Sequence, residues 1–391
     1  MNATQCPHCN HQINRNRLWY QCVGRGTPGR GGCRRAPDPS RMRETGWAEP
    51  SYPSFPWRGW GSWPQQAACP NCGGVTGVRV CPYCHTPVTS GFSTAPTRSI
   101  TLVGEVASGK TVYLQVLMQE LLNNARIWFD VDVSLGDDEA RQRQLTDGVD
   151  RLVREGQLLS QTAAARDGRR QPVVIEWRQA YKKAGMLRRY RATHLALYDT
   201  AGEDLRTRED TQELQYLDGT DAIILVLDPF LIEEVARQAH LPVQGIIRSG
   251  SNGAIITRIS EYLRATRGIA GDRGIPLPVA VVVSKFDVLF TALGMAHPLL
   301  RPPPPVDGYD ETAGLATHDA VQALLLDWDA GDIDARLRHN FANFRYFAVS
   351  ALGAPPRYSV GLISEDGIRP FRVTEPLLWL LASFNLIPQR Q

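Results

Sequence analysis

From residue 98 onward the chain alternates two hydrophobic patterns. Short runs that are apolar at almost every position occur at 99–103 (S-I-T-L-V), 195–198 (L-A-L-Y), 222–227 (A-I-I-L-V-L), 281–283 (V-V-V) and 344–349 (F-R-Y-F-A-V). Such runs predict short apolar strands, and P-V-V-I-E-W at 172–177 predicts one more. Between them, 112–123 carries apolar residues at helical intervals. The same interval recurs in 138–159, where Leu145, Val149, Leu152 and Val153 predict an inserted amphipathic helix, either packed on the body or presenting a partner surface. Strands alternating with helices predict an α/β fold with a doubly wound, mostly parallel sheet. The apolar stretch 377–387, broken by Ser383 and Asn385, predicts a buried helix. It falls short of the roughly 18 residues that span a bilayer.

The first 98 residues lack such runs. They hold all eight cysteines, and eleven arginines stand there against three acidic residues. The 391-residue chain has 43% hydrophobic and 21% charged residues, globular values that exclude a disordered tail protein. Its net charge of +3 is uneven, about +8 over 1–98 and about −5 beyond. Composition thus predicts a four-cysteine module at 1–45, a Pro/aromatic linker at 46–66, a second four-cysteine module at 67–97 and a body at 98–390. Inserts are expected near 130–170, 230–275 and 291–342. The N-terminus has neither the basic start nor the apolar core of a secretion signal, so a cytoplasmic location is expected. The linker region 47–63 holds Trp47, Trp57, Trp60 and Trp63. These predict either packing over the head or body, or a Pro-aromatic docking segment.

Three C-P-x-C knuckles, Cys6/Cys9, Cys69/Cys72 and Cys81/Cys84, have the spacing that aims two thiolates at one tetrahedral metal. The last two knuckles are eight residues apart and predict a zinc ribbon; Cys6 and Cys9 are then expected to pair with Cys22 and Cys33. Eight thiols fill two zinc sites without His8, His11 or His85, although each histidine lies beside a ligand. Disulfides, or iron–sulfur and redox chemistry, are the competing readings. Each all-cysteine zinc site carries a net −2, which reduces the head from about +8 to about +4 and weakens a nucleic-acid reading.

The strand at 99–103 runs into Gly104-Glu105-Val106-Ala107-Ser108-Gly109-Lys110-Thr111 and then a helix. Strand, glycine loop and helix are the context of a phosphate-binding loop. Its backbone N–H groups cradle phosphates, Lys110 reaches the β and γ oxygens, and Thr111 ligates Mg²⁺. Asp199 ends a strand in D-x-x-G, placing it to hold Mg²⁺ and Gly202 to sense the γ-phosphate. Only four lysines occur, Lys110, Lys182, Lys183 and Lys285. One lies in this loop and another in Ser284-Lys285-Phe286-Asp287, a strand end of base-reading form. Ser350-Ala351-Leu352 closes the last strand. Ligands of open α/β sheets bind outside the carboxyl ends of the strands.

With these four ordered motifs, residues 98–390 resemble a P-loop GTPase of the Ras-like (TRAFAC) superclass. The inserts, the cysteine modules and the closing R-V-T-E-P-L-L-W-L-L are most similar to the bacterial double-GTPase group of conflict and defence systems. The resemblance implies a slow or partner-activated GTPase that uses GTP/GDP, Mg²⁺ and two Zn²⁺. It also implies a cytoplasmic antiviral switch working with a second GTPase and a GTPase-associated protein, and no membrane. The departures are specific. Glu203 stands where Ras-like enzymes carry a water-positioning Gln, and its charge opposes the γ-phosphate. Ser284 replaces Asn or Thr, so a weaker tie to the phosphate loop is expected. The switch-I threonine is assigned to Thr162, with Thr146 and Thr193 as alternatives, while Arg206 and Arg208 are near in sequence only. Three other readings stand beside this one: a scaffold that binds nucleotide without hydrolysis, an NTPase gating a nucleic-acid-binding zinc head, and a metabolic kinase, against which S-K-x-D and S-A-L speak.

Overall fold

The computed structural model describes residues 3–89, 92, 95–135, 148, 156, 172–181, 189–200, 217–238, 250–294, 296–301, 308–357 and 360–390. The chain divides into two compact units. One comprises Met1–Ser99, Asp132–Arg143 and Ala165–Tyr198; the other comprises Ile100–Val131, Gln144–Ala164 and Asp199–Gln391.

The head contributes short strands β1 (Ala3–Gln5), β2 (Gln12–Asn14), β3 (Trp19–Gln21), β4 (Ser54–Phe55), β5 (Ala67–Ala68), β6 (Val75–Thr76) and β7 (Arg79–Val80), with helix α1 at Pro39–Thr45. They pair antiparallel as β1–β2, β4-β3-β7 and β5–β6. Strands of two or three residues cannot bury a core of their own, so the clusters centre on cysteine. One joins Cys6, Cys81 and Cys84 to Ile13, Leu18 and Phe92, and another joins Cys22, Cys69 and Cys72 to Tyr20 and Phe55. Trp57 and Trp63 pack against the second cluster, Trp47 lies under Arg41, and Trp60 is fully exposed. Most of the tryptophan-rich segment is therefore head packing.

The long strands are β8 (Thr97–Gly104), β9 (Val131–Leu135), β10 (Val173–Tyr181), β11 (Arg189–Asp199), β12 (Ala222–Leu227), β13 (Ile275–Val283) and β15 (Phe341–Ala348), with the short β14 at Tyr309–Asp310. Seven of them form one mostly parallel sheet in the order β15-β13-β12-β8-β11-β10-β9. In the first unit β10 and β11 pair antiparallel, from Val173 opposite Leu197 to Tyr181 opposite Arg189. The Tyr198 hydroxyl there donates to the Pro7 carbonyl at 2.6 Å, and Asn10 Oδ1 lies 2.9 Å away.

In the second unit β8, β12, β13 and β15 are parallel, with Leu225 opposite Val103 and Val281, and Val281 opposite Tyr346. Alternation along these strands explains why they read as continuous apolar runs. Ile223, Leu225 and Leu227 join Val279, Val281 and Val283 in a core with Ile256, Ile259, Leu325 and Leu337 from helices Asn252–Arg267, Glu311–Asp327 and Gly331–Asn340. The intervening residues, Ile224, Val226, Ala280 and Val282, are equally buried, and Phe347 meets Trp379 of helix Glu375–Ser383 at 6.1 Å between ring centroids. A sheet covered on both faces needs apolar residues at every position. Parallel strands also bring their carboxyl ends to one edge, where Gly104, Leu227, Val283 and Ala348 lie in neighbouring strands.

The body therefore has the predicted mixed α/β class, and helix α2 (Lys110–Phe129) runs beyond the predicted 112–123. The helix expected over 138–159 lies outside the described residues, apart from isolated positions 148 and 156. Helix Glu375–Ser383 is the buried helix expected near the C-terminus. Among the described residues no helix is long and apolar enough to cross a membrane.

Candidate nucleotide site and candidate metal centres

The three C-P-x-C segments are superimposable in their hydrogen bonding. In each, the residue after the second cysteine takes a positive φ: 61° at Asn10, 73° at Gly73 and 54° at His85. Its N–H returns to the carbonyl of the first cysteine, at 3.1, 2.8 and 3.0 Å. Backbone N–H groups also point at sulfur, with His8 N and Tyr83 N each 3.4 Å from Cys6 and Cys81 Sγ. These local turns match the sequence reading, but their partners do not.

The structure groups Cys6, Cys9, Cys81 and Cys84 in one cluster and Cys22, Cys33, Cys69 and Cys72 in the other, each set lying within 4.8 Å. This corrects the expected pairing of Cys69/Cys72 with Cys81/Cys84 and of Cys6/Cys9 with Cys22/Cys33. The reason lies in residues 73–80. They are drawn out as β6, paired with β5, and β7, paired with β3, with the Thr76 hydroxyl donating to Gln21 O at 2.7 Å. Extended chain advances about 3.3 Å per residue, so the two knuckles are carried apart. The cluster with Cys22 is nested within the chain span closed by the other.

Closest Sγ pairs are 3.8 Å for Cys6–Cys84, 3.7 Å for Cys9–Cys81, 3.5 Å for Cys22–Cys72 and 3.8 Å for Cys33–Cys69. Four sulfurs at about 2.3 Å from one zinc stand about 3.8 Å apart, so both donor sets fit a structural zinc. In the nested cluster the Gly74 N–H pulls the Cys72 thiol down to about 6, while burial pushes Cys33 up to about 12. In the outer cluster burial raises Cys6. None of the eight cysteines forms a disulfide. Two of the three histidines have other partners, with His85 Nδ1 2.8 Å from Asp38 Oδ2 and His11 stacked on Tyr83.

The nucleotide motifs lie in the second unit. β8 ends at Gly104, and α2 starts after Gly109, whose φ of 93° a side chain would strain. Within this turn Ser108 is fully buried, Val106 half-buried and Ala107 exposed. Lys110 Nζ donates to the carbonyls of Gly104 at 2.8 Å and Glu105 at 2.7 Å, and lies 3.4 Å from Ser108 Oγ. The Thr111 hydroxyl donates to Asp199 Oδ2 at 2.7 Å, bringing the two expected Mg²⁺ ligands together. Asp199 Oδ1 is buried and accepts no hydrogen bond among the described residues. A hydroxyl beside a carboxylate with an unused oxygen suits a hard cation with oxygen ligands.

On the neighbouring strand ends, the Ser284 hydroxyl lies 2.8 Å from the Ser108 carbonyl and 3.0 Å from that of Leu227. Serine thus makes a tie to the predicted phosphate loop, where a weaker one was expected from the replacement of Asn or Thr. Lys285, at φ 50°, places Nζ 2.8 Å from Asp228 Oδ2. The Asp287 carboxylate is buried and accepts from Ser350 Oγ, which itself accepts the Gly353 N–H at 2.7 Å. Burial raises the Asp287 carboxyl above its ordinary value, with the Ser350 hydroxyl opposing. Ala351 and Leu352 follow in a half-buried turn, where Leu352 O accepts from Arg369 N at 2.9 Å.

Thr162, Gly202 and Glu203, together with Thr146, Arg206 and Arg208, lie outside the described residues. Thr193 is buried in β11 opposite Trp177, a ladder position unsuited to a switch. Sequence reasoning missed Asp228 as the partner of Lys285. The signal available was an Asp directly after an apolar strand.

The fold and the site define an α/β protein with a glycine-bounded strand-to-helix turn at the carboxyl edge of a mostly parallel sheet, accompanied by two tetracysteine clusters. No family model matches the chain. It is 28% identical over 338 residues to a Mycolicibacterium smegmatis protein provisionally named ESX-1 scaffolding and assembly protein SaeC, covering 79% of this chain and 81% of that one. Among solved structures it is similar to the Arl6 (BBS3) small GTPase of Trypanosoma brucei with a bound nucleotide analogue, GppNp. That match is 12% identical, covers 74% of this chain and 98% of the other, and has a TM-score of 0.30.

Proposed function

We propose that the protein is a guanine-nucleotide switch that binds GTP and GDP with Mg²⁺, hydrolyses GTP slowly or on partner contact, and signals to other proteins. Residues 98–390 form the nucleotide domain of this reading, and the cysteine modules of 1–97 hold two structural zinc ions. The observation that carries it is the alignment along one sheet edge of Lys110, the Thr111–Asp199 pair and the Asp287–Ser350 pair. Lys110 and the loop N–H groups bind phosphate, and Thr111 with Asp199 holds Mg²⁺, which neutralises charge on the phosphates. Asp287 reads the two N–H donors of guanine. Gly202, Glu203 and Thr162 belong to the hydrolytic part of the proposal. The nucleotide retained by the purified protein is the test. GDP or GTP is expected, and ATP in its place overturns the base assignment.

A second reading, a nucleotide-binding scaffold without hydrolysis, is favoured by the scaffolding and assembly name of the 28%-identical relative. Its partners are proteins under either reading. The double-GTPase resemblance favours a role in cytoplasmic conflict defence beside a second GTPase, whereas the relative's name speaks of ESX-1 assembly. Phosphate release measured on protein saturated with GTP separates switch from scaffold.

A further inference from the structure

Asp228 and Asn252 belong to none of the sequence motifs, yet both are buried beside the base-reading lysine. The Asp228 side chain is 1% exposed, and its two oxygens have separate tasks. Oδ1 accepts the Phe230 N–H at 3.0 Å, capping a short turn, and Oδ2 takes Lys285 Nζ at 2.8 Å. The Phe230 ring lies under the same ammonium, 4.4 Å from Nζ to the ring centroid. Carboxylate and ring together leave the lysine one position. Asn252 brackets the Asp228 backbone from the other side, its Oδ1 accepting the Asp228 N–H at 3.1 Å and its Nδ2 donating to the Asp228 carbonyl at 3.0 Å.

The residue before Asn252 reaches the phosphate loop. Ser251 N donates to Glu105 Oε1 at 2.9 Å. Gly250 precedes it at φ 116°, and a Cβ there would stand 2.3 Å from the Glu105 carboxylate. Consecutive residues at the start of helix Asn252–Arg267 thus hold both ends of the proposed site.

We propose that Asp228, bracketed by Asn252, is the positioning residue of the base slot: it holds Lys285 for the nucleotide base, while Ser251 in the same turn holds Glu105 of the phosphate loop. The proposal rests on the nucleotide reading above. It adds a device in which any movement of this turn disturbs base and phosphate recognition together.

The experiment has two arms on the full-length chain. The first needs no nucleotide, because only four lysines must be followed. An amine-reactive acylating reagent read by mass spectrometry should label Lys285 several-fold faster in Asp228→Asn and Asn252→Ala than in the parent, with Lys110 unchanged. The second arm measures GDP affinity. Lys285→Ala and Asp228→Asn should each weaken GDP by a similar factor, roughly tenfold, and the double variant should be no weaker than either single one. Should Asp228→Asn not fold, Asn252→Ala carries both arms, chosen with its melting curve matched to the parent's. Unchanged Lys285 labelling, or a double variant weakened by the product of the singles, overturns the proposal. A parent that binds no guanine nucleotide overturns the nucleotide reading instead, and the labelling arm still decides whether the clamp exists.

Discussion

The cysteine head and the phosphate-loop region both present chemistry from tight turns, but they assemble by opposite logics. In the body, each motif ends a strand, and parallel strands deliver their ends to one edge whatever lies between them. Motifs that end parallel strands therefore share one edge, even though β8 lies between β11 and β12 in the sheet. In the head, each knuckle offers two equivalent thiolates and any second pair would complete a tetrahedron. Neighbourhood is decided by how the connecting chain is drawn out, and 73–80 runs extended along β3 and β5. A repeated ligand type carries less information about its partner than a series of different motifs does.

The largest expected effect breaks the head. A structural zinc site is worth on the order of 10 kcal/mol, so ligand losses should be all-or-none per cluster. Cys6→Ser with Cys81→Ser should leave one zinc per chain of two, because both ligands belong to one cluster. Cys6→Ser with Cys22→Ser should leave none. Metal analysis of the two double variants reads this directly, and the reverse pattern restores the zinc-ribbon pairing.

Next comes the body. Lys110→Ala removes the cation that the loop carbonyls now hold, and with it charge-assisted bonds to phosphate worth about 3 kcal/mol. Roughly a hundredfold loss of GTP and GDP affinity is expected in equilibrium binding, with the zinc content unchanged. Wild-type affinity in this variant would remove the phosphate-loop assignment.

Asp287→Asn should act more gently, by about 1–3 kcal/mol on GTP. It should admit xanthosine triphosphate, whose 2-oxo group accepts from the new amide. Competition among GTP, ATP and xanthosine triphosphate is the measurement. An unaltered preference would mean that 284–287 is a strand end without a base.

The smallest effect sharpens the same residue. In the proposed reading guanine is recognised by the ionised Asp287 carboxylate, and burial raises that carboxyl above an ordinary aspartate. GTP affinity should hold at neutral pH and fall as the pH drops through the raised value. The loss begins at less acid pH than for an exposed Asp, and Asp287→Asn should flatten the profile. A parent profile already flat from pH 7 to below 4 would separate Asp287 from the base.

Serine 284 illustrates why some of the site was hidden. By residue type it reads as a weaker contact, because it stands in place of the Asn or Thr of the family pattern. The approach of the Ser108 carbonyl to 2.8 Å restores the tie, and that approach depends on how β8, β12 and β13 stack in register. Asp228 was hidden for a related reason. Its partner Lys285 is distant in sequence, and parallel pairing of β12 with β13 brings the two strand ends together.

Features that depend on neighbours along the chain are legible in the residues alone. Apolar runs marked the strands, the glycine loop marked the strand-to-helix turn at 104–110, and C-P-x-C marked three knuckles whose backbone hydrogen bonds close within six residues. The tertiary structure alone decided which knuckles share a cluster, which carbonyl Ser284 meets, and which carboxylate holds Lys285. Local turns follow from backbone sterics and short-range hydrogen bonds. Long-range partners follow from strand order and register, which no single segment encodes.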